Sequence, residues 1–207
     1  MKKVNVKKLN QSNLIFNKKI RRYLIVFYCV NLEEHNNNKG ITSYEDKSNG
    51  ELDSLAGLSI PKDFFRENMN YIYESQDIPF IFNINNDFDN FEVDNQLIKI
   101  RPNLYSDIFF VGTCYGGSYY HNVDLMNDNN IYSKKLHLSD LNSEISNNGD
   151  ICFKTFEYMH SHIGINKFIK PKIWFYHMSF NSYLKLDHLK FGYNPFIHIF
   201  SITMKEV

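Results

Sequence analysis

Short apolar runs separated by polar loops recur along this chain of 207 residues. The runs are rich in Val, Ile, Phe and Tyr, which is typical of strands that are buried in a sheet. The predicted strands are residues 22–31, 79–84, 91–100, 104–112, 172–178 and 196–202. Within residues 104–112, the run from Ile108 to Val111 is continuously apolar, and this indicates burial on both faces.

Three segments between these strands have apolar residues at helical spacing. The first begins at Ser59, which is suited to cap a helix, and ends before Pro79. Its inward positions are Phe64, Phe65, Met69, Ile72 and Tyr73. The other two predicted helices lie at residues 136–145 and 151–162. Strands that alternate with helices predict an α/β fold, with a mostly parallel sheet flanked by helices and C-terminal strands that can form an antiparallel edge.

The N-terminus differs in charge from the rest of the chain. Residues 1–21 contain seven lysines and arginines and no acidic residue. This predicts a flexible basic segment at 1–21 and a single α/β domain at 22–207, a length that suits one core. A contact with an anionic surface and a targeting signal are alternatives for the basic segment. The apolar run at 23–30 is far shorter than the roughly 20 residues that cross a bilayer, so we expect no transmembrane segment.

Composition narrows the classes of partner. Lys plus Arg and Asp plus Glu both number 23, and this balance argues against nucleic-acid binding, which needs a positive field. An unknown small molecule or protein is the expected partner. The three cysteines have irregular spacing and predict neither a disulfide framework nor a zinc site. They favour a reducing, cytoplasmic compartment, either of the producing organism or of a host cell. The single alanine, Ala56, and the abundance of Asn, Ile and Lys favour an AT-rich genome.

One segment carries candidate chemistry. Gly112-Thr-Cys-Tyr-Gly-Gly117 follows the most apolar run directly. A nucleophile on a strained turn after a strand needs small neighbours two positions away on each side, and Gly112 and Gly116 supply both around Cys114. The backbone N–H of Tyr115 would then lie where an oxyanion develops.

The segment IFFVGTCYGG resembles the cysteine nucleophile elbow of α/β-hydrolases, specifically of dienelactone-hydrolase-like enzymes. This resemblance implies that Cys114 is the nucleophile of a thiol-dependent hydrolase and that Tyr115 donates to the oxyanion. It also implies a base and an acid later in the chain, and Asp187 is the candidate acid. The candidate bases are His177, His188 and His198, of which His198 falls inside a predicted strand.

Three alternatives remain open at this stage. A strand that ends in Cys-x-Gly also resembles caspase-like cysteine peptidases, but the one upstream histidine, His35, has no glycine beside it. The segment can equally be a tight turn in which the glycines allow positive φ and Cys114 is a small buried side chain. The chain would then be a non-catalytic interaction protein, for example a pathogen or viral factor, that acts through an exposed aromatic surface.

No metal site or cofactor is expected. His160 and His162 lie in a predicted helix, where side chains two positions apart point in different directions and cannot both bind one ion. The acidic residues between Asp87 and Asp94 lack the glycine and the terminal glutamate of a calcium loop.

Overall fold

The computed structural model describes residues 5–9, 13–20, 23–65, 70–73, 77–147 and 149–207. Strands make up 61% of the described residues, so β-structure decides the architecture. In chain order the strands are β1 (Asn5–Leu9), β2 (Asn13–Ile20), β3 (Tyr23–Cys29), β4 (Ile41–Thr42), β5 (Ile60–Pro61), β6 (Asn70–Tyr73), β7 (Ile78–Ile81), β8 (Phe91–Asp94), β9 (Leu97–Cys114), β10 (Tyr119–Asn127), β11 (Asn130–Leu138), β12 (Ile151–Thr155), β13 (Met159–Ser161), β14 (Gly164–Asn166), β15 (Lys172–Phe191) and β16 (Tyr193–Glu206). The helical content of these described ranges is one 3-10 turn, Lys62–Phe64.

The predicted α/β fold with a mostly parallel sheet is wrong, because the sheet is antiparallel. Among the described residues, parallel pairing is confined to β4 with β5 and to one bridge between Cys114 and Asp140. The continuous apolar run in β9 does have both faces buried. Here one face is covered by loops and short hairpins, whereas the prediction assumed helices.

None of the three predicted helices is present among the described residues. Ser59 does not cap a helix, because its hydroxyl oxygen lies 2.6 Å from Oγ1 of Thr42. The backbone after it forms β5 and the 3-10 turn, and β6 then pairs with β7; Met69 lies outside the described residues.

The other two segments have local explanations. Leu136 and Leu138 are alternate buried positions of β11, whereas Ile145 is 72% exposed. Residues 151–162 form β12 and β13, and a register shift between Cys152 and Lys154 interrupts the pairing of β12 with β15. The shift lets Phe153 and Phe156 both reach the core at a spacing that imitates a helix.

The three longest strands, β9, β15 and β16, lie next to one another in the middle of the main sheet. The order in the main sheet is β1-β2-β3-β16-β9-β15-β10-β11, with β8 paired to β16 and β12 paired to β15. The C-terminal strands β15 and β16 are antiparallel, as the sequence allowed, but they lie inside the sheet and not at its edge. Register shifts interrupt the pairing of β15 with β9 at two places, so these strands bend and contribute to both sides of a layered core.

Two apolar clusters lie on opposite faces of the main sheet. One cluster is formed mainly by side chains of the main sheet and contains Phe110, Trp174 and Leu189. The other lies between the sheet and a layer of loops and short strands, and contains Phe80, Phe109 and Phe175. On β10 and β11, the side chains that belong to neither cluster point outward to solvent. These two strands position the candidate site.

The N-terminal segment contains described backbone at β1 and β2, which continue the sheet beyond β3. The flexibility predicted for residues 1–21 and the domain boundary at 22 stay predictions. Within the described ranges, the structure has no helix with the length and hydropathy that a membrane span requires.

Candidate functional site

Cys114, the predicted nucleophile, is the last residue of β9 and is fully buried. Its thiol donates a hydrogen bond to the carbonyl oxygen of Leu138, with 3.2 Å between sulfur and oxygen. Burial raises the pKa of this thiol to about 12. A reactive cysteine needs a lowered pKa and access to solvent, and Cys114 has neither.

The backbone around Cys114 is used for structure. The N–H of Tyr115, predicted as the oxyanion donor, donates to the carbonyl oxygen of Phe196 at 3.0 Å. Gly116 and Gly117 have φ values of +73° and +150°, which explains why glycines occupy this turn. The N–H of Gly117 donates to the carboxylate of Asp140 at 2.7 Å. The chain then continues into β10, whereas the resemblance to α/β-hydrolases implies a helix at this point.

The structure does not bring the predicted bases to Cys114. His177 lies opposite Phe109 on β9, where its Nε2 is 2.7 Å from a carboxylate oxygen of Asp107. Burial raises the pKa of Asp107, but hydrogen bonds from His177 and Ser106 and the nearby Lys205 ammonium lower it to about 2. The contact between His177 and Asp107 therefore lies on the sheet face opposite Cys114, since Phe109 and Cys114 belong to different clusters.

The remaining predicted residues form separate pairs. His188 and Asp187 contact each other at 2.7 Å, but His188 lies opposite Lys99, toward the far end of β9. His198 is buried and its Nδ1 lies 3.3 Å from the side-chain oxygen of Asn90. Burial lowers the pKa of His198 to about 4, so its ring is neutral.

His160 and His162 lie on β13 and the residue after it, not on a helix. His160 is buried, with Nδ1 2.8 Å from the hydroxyl of Thr42. The ring of His162 instead reaches the carbonyl oxygens of Ser48 and Ser54. Within the described part of the chain, no group of three or more His, Cys, Asp or Glu side chains is arranged to hold a metal ion.

A cleft of about 540 Å³ lies on the outward side of β10 and β11. We call it the outer-face cleft. Its lining residues are Asn95, Tyr120, His121, Asn122, Asp124, Ser133, Lys190, Phe191 and Gly192. The strand alternation places Tyr120, Asn122 and Asp124 on this side, while Val123 and Leu125 between and after them are buried in the core.

Polar side chains in this cleft have unused hydrogen-bonding groups. In the ranges that the structure describes, Asn122, Asp124, Ser133 and Lys190 make no side-chain hydrogen bond to the protein. Pairing between strands keeps them close, because Asp124 lies directly opposite Lys190 on β15 and Ser133 on β11. An amide, a carboxylate, a hydroxyl and an ammonium group thus face one cavity.

Tyr120 forms the aromatic wall of the outer-face cleft and is 63% exposed. The ammonium of Lys135 lies 4.6 Å from its ring centroid, which holds the ring over β11. At the other end of the cleft, Nε2 of His121 accepts a hydrogen bond from the N–H of Gly192. Burial lowers the pKa of His121, which favours the neutral ring that can accept this bond.

The sequence contains a signal for this site that is not a short motif. Asn122 and Asp124 alternate with the apolar residues Val123 and Leu125, which predicts a strand with one polar face. The segment around Cys114 matches a short sequence pattern. The cleft instead depends on residues from three strands that only the fold brings together.

In comparisons with known proteins, no protein-family model matches this chain, and no curated protein is significantly similar to it.

Proposed function

We propose that this protein is a non-catalytic binding domain and that the outer-face cleft is its ligand site. The observation that carries this proposal is the group of four polar side chains with unused hydrogen-bonding capacity beside the exposed ring of Tyr120. Polar side chains on a sheet surface are usually free to bind water, but here they converge on a cavity whose volume lies within the range of about 300–1,000 Å³ for small-ligand sites.

The environment of Cys114 supports a binding function over a thiol-dependent hydrolase. A nucleophilic cysteine requires a base within hydrogen-bonding reach, and the hydrogen bond of this sulfur goes to a backbone carbonyl. The candidate histidines are engaged with Asp107, Asp187 and Asn90. The burial of Cys114 fits its role as a small core residue below Leu138.

The reactivity of the three cysteines distinguishes the two functions. We expect iodoacetamide at neutral pH to modify Cys152 first, because Cys152 is exposed, while Cys29 and Cys114 are buried and burial raises the pKa of each to about 12. Peptide mass spectrometry over a time course measures the three rates. Fastest modification at Cys114 would contradict the proposal and favour the hydrolase.

Binding itself is tested with defined probes. Wild-type protein is screened against immobilised glycans, a peptide library and phospholipid vesicles, and each ligand found is tested against two variants. Tyr120→Ala removes the aromatic wall of the cleft. Tyr183→Ala is the matched control, because Tyr183 is 62% exposed and lies outside the cleft. We expect binding to be lost in Tyr120→Ala and kept in Tyr183→Ala. Binding that both variants keep, or no binding to any probe, would overturn the proposal.

A further inference from the structure

We infer that the ligand of the outer-face cleft is a saccharide, an inference that rests on the proposed binding function. The first argument is the set of groups that line the cleft. Asp124 supplies acceptors, Lys190 supplies donors, and Asn122 and Ser133 supply both. A ligand rich in hydroxyl groups, each able to donate and accept, matches such a mixed set. The C–H face of a sugar ring packs on an aromatic ring, and Tyr120 provides the ring face that Lys135 does not cover.

The charge of the cleft favours a neutral ligand. Asp124 and Lys190 lie directly opposite each other across the β10–β15 pair, so their charges compensate. A site for phosphate or nucleic acid would collect several cations without an acidic neighbour. The whole chain is also balanced, with 23 basic and 23 acidic residues.

The sheet geometry disfavours an extended peptide in this cleft. Peptides commonly add a strand to an open sheet edge or insert an apolar anchor into a pocket. β10 is paired with β11 along its whole length and with β15 at residues 123–126, so it offers no open edge beside Asp124. At residues 119–122 the Gly192 turn contacts β10 through its hydrogen bond to His121, so the unpaired edge is limited to these four residues. Phe191, an apolar residue of the lining, is fully buried in the core and cannot serve as an open pocket wall.

The backbone of the cleft is held in place by strand pairing and by the contacts of the Gly192 turn. Its polar side chains project from paired strands, and the Gly192 turn is tied to β10 through His121. The N–H of Asn95 donates to the carbonyl oxygen of Gly192 at 2.7 Å, which fixes the turn that closes one end. Because the backbone needs little ordering on binding, the cost of binding is limited to ordering the side chains, and several hydrogen bonds with one ring contact are enough for measurable affinity.

The test is a glycan array that contains neutral hexose, N-acetylhexosamine and uronic-acid oligosaccharides, followed by calorimetry with each oligosaccharide that binds. We expect Tyr120→Ala to weaken binding by about tenfold or more, the size expected for loss of one ring contact. Tyr120→Phe should keep most of the affinity, and Asp124→Asn should weaken it. The matched controls Tyr183→Ala and Asp128→Asn should bind as wild type, because both residues lie outside the cleft.

The possible results separate this inference from the proposed function. Oligosaccharide binding that depends on Tyr120 and Asp124 supports both. If a peptide binds through Tyr120 and no oligosaccharide does, the saccharide inference fails and the binding function stands. If no probe depends on Tyr120, both fail. Thermal unfolding of each variant confirms that it is folded before its affinity is compared.

Discussion

Replacing Gly112 by alanine is expected to destabilise the protein by about 3 kcal/mol, at the upper end of the usual cost of overpacking. A Cβ at this position would lie 2.5 Å from the carbonyl oxygen of His198 and 2.9 Å from a methyl carbon of Leu138. The first of these atoms belongs to the backbone of β16, the neighbouring strand, so the strands themselves must move apart. Urea unfolding measured by far-UV circular dichroism gives the difference in free energy.

Gly192→Ala is the control for this measurement. A Cβ at Gly192 would meet the ring of His121 at 3.3 Å, and a side chain of this kind can move by a few tenths of an ångström. We expect a cost of less than about 1 kcal/mol there. If Gly112→Ala were as stable as Gly192→Ala, the close approach of β9 and β16 would be disproved. The glycine would then need another explanation, such as the nucleophile turn that the sequence resembles.

Each of the six predicted strands overlaps a described strand, because burial of apolar runs is a local signal, whereas ten of the described strands, β10 and β11 among them, were not predicted. The predicted strand at 22–31 corresponds to β3, and the runs at 172–178 and 196–202 lie within β15 and β16. The sequence did not show whether these strands pair in parallel or antiparallel. A continuous apolar run reports that both faces are covered, and it does not report whether helices or loops cover them.

The helix predictions failed where irregular backbone imitates helical spacing. In β12 a register shift brings Phe153 and Phe156 to the same core. Around Phe64 and Phe65 the aromatic side chains pack from a 3-10 turn and the residue after it, which needs no continuing helix. Hydrophobic periodicity records which residues are buried, and several backbone paths can bury the same set.

The candidate site was harder to predict than the fold. The glycines at 112, 116 and 117 suggested a strained nucleophile, but two of them satisfy the positive φ of a turn and one allows a close strand contact. A turn with positive φ next to a close strand contact therefore requires the same short glycine motif as a nucleophile elbow. The outer-face cleft has no short motif, since Lys190 lies far from Tyr120 and Asp124 in sequence and joins them through strand pairing.

Asp89→Asn and His198→Gln are expected to change the pH dependence of stability in opposite directions. Both residues are buried and both contact Asn90, within a polar cluster below the loop that contains Gly40. Burial raises the pKa of Asp89 to about 7, although hydrogen bonds from Asn90 and from the N–H groups of Ile41 and Gly40 lower it. Burial lowers the pKa of His198 to about 4.

The signs follow from proton binding by the folded and unfolded states. Between pH 4 and 7 the folded state retains a proton on Asp89 that the unfolded state releases, so this residue makes stability fall as pH rises. Between pH 4 and 6.5 the unfolded state protonates His198 and the folded state does not, so this residue makes stability rise with pH. In the wild type the two contributions oppose each other across this window.

Urea unfolding at pH 4.5, 5.5 and 6.5 measures these contributions as differences from wild type. Across this window, Asp89→Asn should gain stability relative to wild type as pH rises, and His198→Gln should lose it, each by on the order of 3 kcal/mol. The double variant should run parallel to wild type, because it lacks both contributions. If both single variants deviate in the same direction, or neither deviates, then burial does not shift these two residues in opposite senses. If the free energy of unfolding of Asp89→Asn alone varies with pH as it does in wild type, the Asp89 carboxylate stays ionised throughout the window, bound to the N–H groups of Gly40 and Ile41.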